Sequence, residues 1–92
     1  MRLRAGDVVK HFKRETLSQE EQENSTKYLY IIYDFAEHTE TGEKLVIYHG
    51  LYAPYKLYAR PMDMFFSEVD KEKYPNIKQK YRFEQWEGKQ DE

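Results

Sequence analysis

An arginine and three tyrosines in the middle of the chain are the side chains best suited to bind a ligand. Tyr58 and Arg60 are two residues apart, and Tyr48 and Tyr52 lie in the segment before them. Residues two or four apart in a strand share one face of a sheet, so pairing of the two segments brings these side chains together. Such a surface can stack against a nucleic-acid base or bind the carboxylate of a peptide.

The same four side chains also have a purely structural interpretation. A domain of this size has a thin core, and large aromatic rings are needed to fill it. Arg60 would then be neutralised by a neighbouring carboxylate such as Glu43 or Asp63. The sequence alone weighs toward this interpretation and leaves the binding surface open.

Histidine and serine offer little basis for catalysis. The histidines, His11, His38 and His49, are far apart and the chain has no cysteine, so we expect no metal centre and no cofactor. No serine lies in a nucleophile elbow, and the few glycines form no phosphate-binding loop. We therefore predict no catalytic residue. The alternative is a small hydrolase or transferase in which His38 works with Glu43; more simply, the His38 imidazole closes its own hairpin by hydrogen bonds.

Length and charge limit the class of protein. The chain has 92 residues, which predicts a single domain, and a net charge of −2. An acidic chain lacks the overall positive charge typical of nucleic-acid binding proteins, so a protein or peptide partner is favoured. RNA or a nucleotide is the alternative ligand, since a local basic patch is compatible with this charge. An aromatic sheet face also makes a homodimer an expectation to test.

The chain shows no membrane or export signal. Its first residues lack the continuous apolar run of a signal peptide, and the longest apolar stretch, Tyr28–Tyr33, is too short to cross a bilayer. We expect a cytoplasmic protein without a membrane partner.

The pattern of apolar residues predicts a mostly β fold. Alternating segments bounded by turn residues indicate four or five short strands, at Asp7–Phe12, Thr26–Glu37, Lys44–Ala53, Leu57–Arg60 and, less regularly, Tyr81–Trp86. Pro61 cannot continue a ladder and is well placed to begin one helical turn through Phe66. Short connections and a small core favour a strongly bent, SH3-like barrel.

Two connections and one glycine leave choices open. Lys13–Ser25 is very polar and favours a flexible loop, although Ser18 and Glu21 have the spacing of a capping box for a short helix. Gly42 can take the positive φ that a tight hairpin requires. Gly50, within a predicted strand, suggests a bulge, a sharp bend or the close approach of another backbone.

Several of these segments together resemble a known family. In chain order they are the triplet His11–Lys13, the hairpin His38–Glu43, the strand Leu45–Tyr48, then Leu51-Tyr52, Arg60-Pro61 and Met64-Phe65. They are similar to the small bacterial family called domain of unknown function 1653, over most of residues 5 to 70. The resemblance implies a small, mostly β cytoplasmic domain and no established activity.

The sequence departs from the family pattern in a few places. Lys13–Ser25 is longer than the usual turn, Pro54–Lys56 lacks the usual glycines, and Tyr58 stands where the family tends to have tryptophan. Tyr74–Trp86 falls outside the resemblance, so we divide the chain into a core at residues 5–70 and an extension at 71–92. Our leading hypothesis is a non-enzymatic binding module that uses half-exposed side chains, namely Tyr48, Tyr52, Tyr58 and Arg60 with His38 and Glu43 at the rim.

Overall fold

Five antiparallel strands form one sheet in the order β4-β3-β2-β1-β5 in the computed structural model, which describes residues 3–88. The elements in chain order are β1 (Val8–His11), a 3-10 helix (Phe12–Thr16), α1 (Gln19–Asn24), β2 (Leu29–Glu37), β3 (Lys44–Gly50), β4 (Leu57–Pro61), α2 (Met62–Phe65) and β5 (Phe83–Gln85). The mostly β prediction is confirmed, and so are the helical turn after Pro61 and the last strand near the C-terminus. No helix among residues 3–88 is long and apolar enough to cross a membrane.

The sheet is open, so the prediction of a closed barrel is wrong. β4 and β5 are its two edges and do not pair with each other. The sheet nevertheless bends far enough for side chains from the two edges to meet. Phe83 of β5 stacks on Phe65 of α2 with ring centroids 4.2 Å apart, and the Arg60 guanidinium of β4 lies 5.8 Å from the Phe83 ring. Side-chain packing therefore joins the two edges where a barrel would use backbone hydrogen bonds.

Aromatic and β-branched residues fill the concave side of the sheet. Val9, Ile32, Val46 and Phe65 have no measurable solvent exposure, and Phe83 is almost as deeply buried. These residues come from four different strands and from α2, so the core forms only when the sheet bends. A small chain that must bury large rings achieves this with a thin, ring-rich core.

A β-bulge lies at Tyr33 and not at Gly50. The pairing of β2 with β3 shifts register around Tyr33, whose side chain points into solvent and is 66% exposed. The extra residue reverses the alternation beyond it, so Phe35 packs against the core on the same side as Tyr30, where an unbroken alternation would place it on the opposite side. Gly50 pairs in register with Tyr30.

The segment between β1 and β2 is helical, so the preferred prediction of a flexible loop is wrong. Ser18 and Glu21 form the capping box that their spacing allowed. The reason for order lies in Arg14, a buried side chain whose contribution was not expected. Its guanidinium donates hydrogen bonds to three backbone carbonyls in or just after α1, those of Gln22, Ser25 and Lys27. Carbonyls at a helix end lack partners within the helix, and a cation is favourable there.

The C-terminal segment packs against the 3-10 helix before it reaches β5. The Glu15 carboxylate accepts hydrogen bonds from the backbone N–H groups of Lys78 and Gln79, at 2.9 and 2.7 Å. The Gln79 side chain is buried and donates to the carbonyls of Lys10 and Tyr81. These bonds hold the segment in place and bring Phe83 into the core.

Candidate functional site

An aromatic cavity opens at the base of the β2–β3 hairpin, on the concave side of the sheet. Its volume is about 230 Å³. It is lined by His11, Lys13, Tyr28, Tyr30, Tyr48, Tyr58, Arg60 and Phe83. The structure therefore brings together Tyr48, Tyr58 and Arg60 of the predicted surface, because Tyr48 and Tyr58 are direct partners in the β3–β4 ladder.

A second cavity adjoins the first and is rich in positive charge. This basic cavity has a volume of about 340 Å³ and shares His11, Lys13 and Arg60 with the aromatic cavity. Its other lining residues are Phe12, Val69, Asp70, Lys73, Tyr74 and Arg82. The two cavities together are called the cleft below. One half of the cleft offers aromatic rings and the other half offers cations.

Arg60 lies between the two halves and has no carboxylate partner within residues 3–88. Its Nε donates a hydrogen bond to the Tyr48 hydroxyl at 3.0 Å. The only salt bridge within residues 3–88 joins Lys44 to Glu37, so the expected pairing of Arg60 with Glu43 or Asp63 is not formed there. The positive charge of Arg60 therefore remains available to a ligand in the cleft.

Tyr48 and Tyr58 differ strongly in exposure. Tyr48 is 3% exposed, so the prediction of a half-exposed ring is wrong for this residue. It lies on a central strand and faces the core, where it packs edge-on against Phe65 and Phe83. Tyr58 lies on an edge strand and is 39% exposed, with its ring centroid 5.4 Å from that of Tyr48. Tyr58 is thus the ring of this pair that a ligand can cover.

Tyr52 does not line the cleft and supports it from behind. Its hydroxyl is 2.6 Å from the hydroxyl of Tyr30, which does line the aromatic cavity. Burial raises the pKa of the Tyr30 hydroxyl well above its usual value, and the hydrogen bond to Tyr52 raises it further. The Tyr30 hydroxyl therefore stays neutral, and its hydrogen bond to Tyr52 holds the Tyr30 ring in place.

His38 and Glu43 lie at the opposite end of the hairpin, away from the cleft. The segment His38–Glu43, called the hairpin tip below, begins eight residues after Tyr30, which at about 3.3 Å per strand residue is a separation of at most roughly 26 Å. The His38 Nδ1 accepts hydrogen bonds from the backbone N–H groups of Glu40 and Thr41, at 3.1 and 3.4 Å. The imidazole closes its own turn, and neither His38 nor Glu43 lines the cleft.

His11 is a central residue of the cleft that the sequence did not single out. Its Nδ1 accepts a hydrogen bond from the backbone N–H of Lys13 at 3.0 Å, so the neutral ring carries its proton on Nε2. Burial lowers the pKa of His11 to about 3, and the nearby charges of Arg82, Lys13 and Arg60 act in the same direction. The imidazole is therefore neutral at physiological pH and sits in a positive electrostatic field. The triplet His11–Lys13 was a signal for this residue, but only the fold brings the arginines to it.

Tyr28 is another lining residue that the sequence did not indicate. It has a φ of 67°, a left-handed conformation that a bulky residue rarely adopts and that costs roughly 1–3 kcal/mol. Its carbonyl accepts a hydrogen bond from the His11 backbone N–H at 3.0 Å, and its ring packs edge-on against Tyr52. No local sequence signal indicates this conformation, because it is imposed by the pairing of β1 with β2.

Across residues 3–88, no group of three or more histidine, cysteine, aspartate or glutamate side chains is placed to hold a metal ion.

Comparison with protein families gives a match to the model described as protein of unknown function (DUF1653), over residues 7–85. Comparisons with curated proteins and with solved structures give no match. The family match extends beyond residue 70, where the resemblance from the sequence ended, and it includes all five strands of the sheet. The chain therefore belongs to the DUF1653 family of proteins of unknown function.

Proposed function

We propose that this protein is a non-enzymatic binding module whose ligand places an anionic group in the cleft. The observation that carries the proposal is the position of Arg60, which lies between the aromatic and basic cavities and forms no salt bridge within residues 3–88. A half-buried guanidinium that faces a concave surface is well suited to bind a carboxylate or phosphate. An SH3-like arrangement of the bent sheet belongs to the same proposal, since such folds bind ligands on an aromatic surface.

The aromatic cavity supports binding in a second way. Most of its rings are fixed by packing, and Tyr48 is also fixed by its hydrogen bond to Arg60. A surface that is already ordered loses little side-chain entropy when a ligand binds. Tyr52 contributes by holding Tyr30.

Two ligand classes are compatible with this site. The net charge of −2 favours a protein or peptide partner that brings an acidic group, because a long polyanion would be repelled by the rest of the surface. RNA or a nucleotide is the second candidate, and the cations of the basic cavity favour it locally. A hydrolase or transferase that uses His38 and Glu43 has no support in the geometry of the hairpin tip.

The test is a titration of the ¹⁵N-labelled protein with acidic peptides and with short single-stranded RNA, followed by amide shifts of residues in the cleft. Arg60→Gln should lower the affinity for whichever ligand binds by about 10- to 100-fold, because a charge-assisted hydrogen bond contributes about 1.5–3 kcal/mol. Lys44→Gln, at the start of β3 next to the hairpin tip, is the matched control and should bind normally. Equal binding by wild type and Arg60→Gln would contradict the proposal.

A homodimer remains a separate expectation. The edge strand β4 and the turn before it expose large apolar side chains, Tyr55 and Leu57. Sedimentation equilibrium at several concentrations measures the oligomeric state directly, and a monomer throughout would remove this expectation without affecting the binding site.

A further inference from the structure

The positive charge that lines the basic cavity exceeds what is needed to bind a single carboxylate. Four cationic side chains line it, Lys13, Arg60, Lys73 and Arg82, against the single carboxylate of Asp70. That carboxylate is already engaged, since it accepts hydrogen bonds from the backbone N–H groups of Glu72 and Lys73. A group with two negative charges and several acceptor oxygens matches this set better than a carboxylate with one charge.

Two donors of the basic cavity, Arg82 and His11, are held in position before a ligand arrives. The Nε of Arg82 donates to the Ser67 hydroxyl at 3.3 Å, which orients its guanidinium. His11 adds a neutral N–H donor among the cations, because its Nδ1 is already occupied by the backbone of Lys13. A neutral donor beside cations suits a phosphate, which accepts hydrogen bonds as well as charge.

The aromatic half of the cleft offers a ring surface that a phosphate group by itself would not contact. Tyr58 is the most exposed ring that lines the aromatic cavity, whereas Tyr30, Tyr48 and Phe83 are buried. A flat ring system placed on Tyr58 would extend from the shared residues His11 and Arg60, which also reach the basic cavity. The ligand should therefore carry a phosphate that is joined to an aromatic group by a short linker.

The acidic regions elsewhere limit the size of the ligand. α1 exposes Glu20, Glu21 and Glu23, and the hairpin tip carries Glu40 and Glu43. The negative charge of these regions disfavours a long polyanion more than it disfavours a single nucleotide.

We propose that the ligand of the cleft is a nucleotide, free or at the phosphorylated end of a single strand, with its phosphate in the basic cavity and its base on Tyr58. This inference rests on the binding function proposed above and deepens it. The nucleotide carries both groups that the cleft can recognise, and the shared residues His11, Lys13 and Arg60 place the two cavities side by side.

Calorimetric titration of the full chain with a matched series of probes tests this inference. The probes are adenosine monophosphate, adenosine, inorganic phosphate, phosphotyrosine, an acidic peptide and a 5′-phosphorylated tetranucleotide. We expect adenosine monophosphate to bind at least tenfold more tightly than adenosine or inorganic phosphate. Tighter binding of the tetranucleotide than of the mononucleotide would identify a strand end as the source, and equal binding would identify the free nucleotide.

Two variants assign the halves of the cleft. Tyr58→Leu keeps an apolar side chain but removes the aromatic ring. We expect it to lower the affinity for adenosine monophosphate about tenfold, since stacking on one aromatic ring contributes about that factor. The affinity for inorganic phosphate should be unchanged. Arg82→Gln should weaken both probes and reduce the salt dependence of binding. Lys44→Gln is the control on the far side of the hairpin.

Different failures have different meanings. Preferential binding of phosphotyrosine or of the acidic peptide, lost in Arg60→Gln, overturns the nucleotide assignment and leaves the binding function in place. Absence of binding by every probe to the folded wild-type protein overturns both. An unchanged affinity of Tyr58→Leu for adenosine monophosphate overturns the placement of the base.

Discussion

The two ends of the β2–β3 hairpin differ in almost every physical respect. The base carries Tyr30 and Tyr48, rings that are buried, packed edge to face and directed toward a cleft lined with cations. The tip, His38–Glu43, is exposed and polar, and its side chains bond mainly to the loop's own backbone. Sequence reasoning placed both ends in one candidate site, whereas the structure separates them by the length of β2.

The difference teaches how to interpret polar residues in a small β protein. A histidine beside threonines and glutamates in a turn has local backbone N–H groups to bind, so it needs no ligand to be satisfied. The Arg60 side chain, by contrast, projects from edge strand β4 and has only the Tyr48 hydroxyl as a hydrogen-bond partner within residues 3–88. A residue that lines a cavity, and whose charge is not neutralised within residues 3–88, is the better functional candidate.

The largest expected difference between the two ends concerns stability. Phe83→Ala removes a ring that is 1% exposed and that contacts Phe65, Tyr30 and Tyr48. The loss of packing should lower the free energy of unfolding by about 3–5 kcal/mol. Urea denaturation measures it. Tyr33→Thr, at the exposed bulge, is the control and should change stability by at most about 0.5 kcal/mol. A small effect of Phe83→Ala would show that the base does not hold the fold together.

The pH dependence of stability should identify His11 at the base. Its pKa is about 3 in the folded protein and about 6.5 when unfolded, so between these values only the unfolded chain binds the proton. The contribution is present above pH 6.5 and is lost as pH falls toward 3. Lowering the pH from 7 to 5 should therefore destabilise the protein by roughly 2 kcal/mol through this residue.

The measurement is urea denaturation at both pH values for wild type and His11→Gln. The variant should lack this part of the pH dependence, because glutamine does not titrate. His38→Gln at the tip should retain it. If wild type and His11→Gln lose the same stability on acidification, the burial of a neutral imidazole at the base is refuted.

The smallest effect is expected at the tip. His38→Ala removes the acceptor for the backbone N–H groups of Glu40 and Thr41, which should cost about 0.5–1 kcal/mol because the loop is exposed to water. His38→Asn should restore most of it, since asparagine can accept the same bonds in a turn. Denaturation and ligand titration together check this. A large loss of ligand affinity in His38→Ala, with stability intact, would return the tip to the functional site.

The strands were largely predictable, because the alternation of apolar residues in β2 and β3 and the stop at Pro61 are local signals. The bulge at Tyr33 was not, since nothing in the alternation marks which residue is extra. Order between β1 and β2 was missed for a similar reason. The capping box was visible, but the carbonyls that Arg14 binds are up to thirteen residues away in the chain.

Part of the site was also predictable. Tyr58 and Arg60 share a strand, and Tyr48 lies opposite Tyr58, so pairing of neighbouring strands was enough to bring them together. The sequence could not place His11 and Arg82 together, because β1 and β5 pair in space but are separated by a long stretch of chain. The hydrogen bond from the Gln79 backbone N–H to the Glu15 carboxylate helps to hold that stretch in position.

The sequence by itself determined the class of fold, the positions of the strands, the family and three residues of the cleft, because each depends on local periodicity, turn chemistry or recognisable segments. Only the tertiary structure decided that the sheet stays open, that Tyr48 is buried, and that His38 and Glu43 stand apart from the cleft. It also decided where the positive charge gathers. Arg60 and Arg82 are far apart in sequence, and the bend of the sheet brings them to the same cavity, so their joint field could not be inferred from the order of residues.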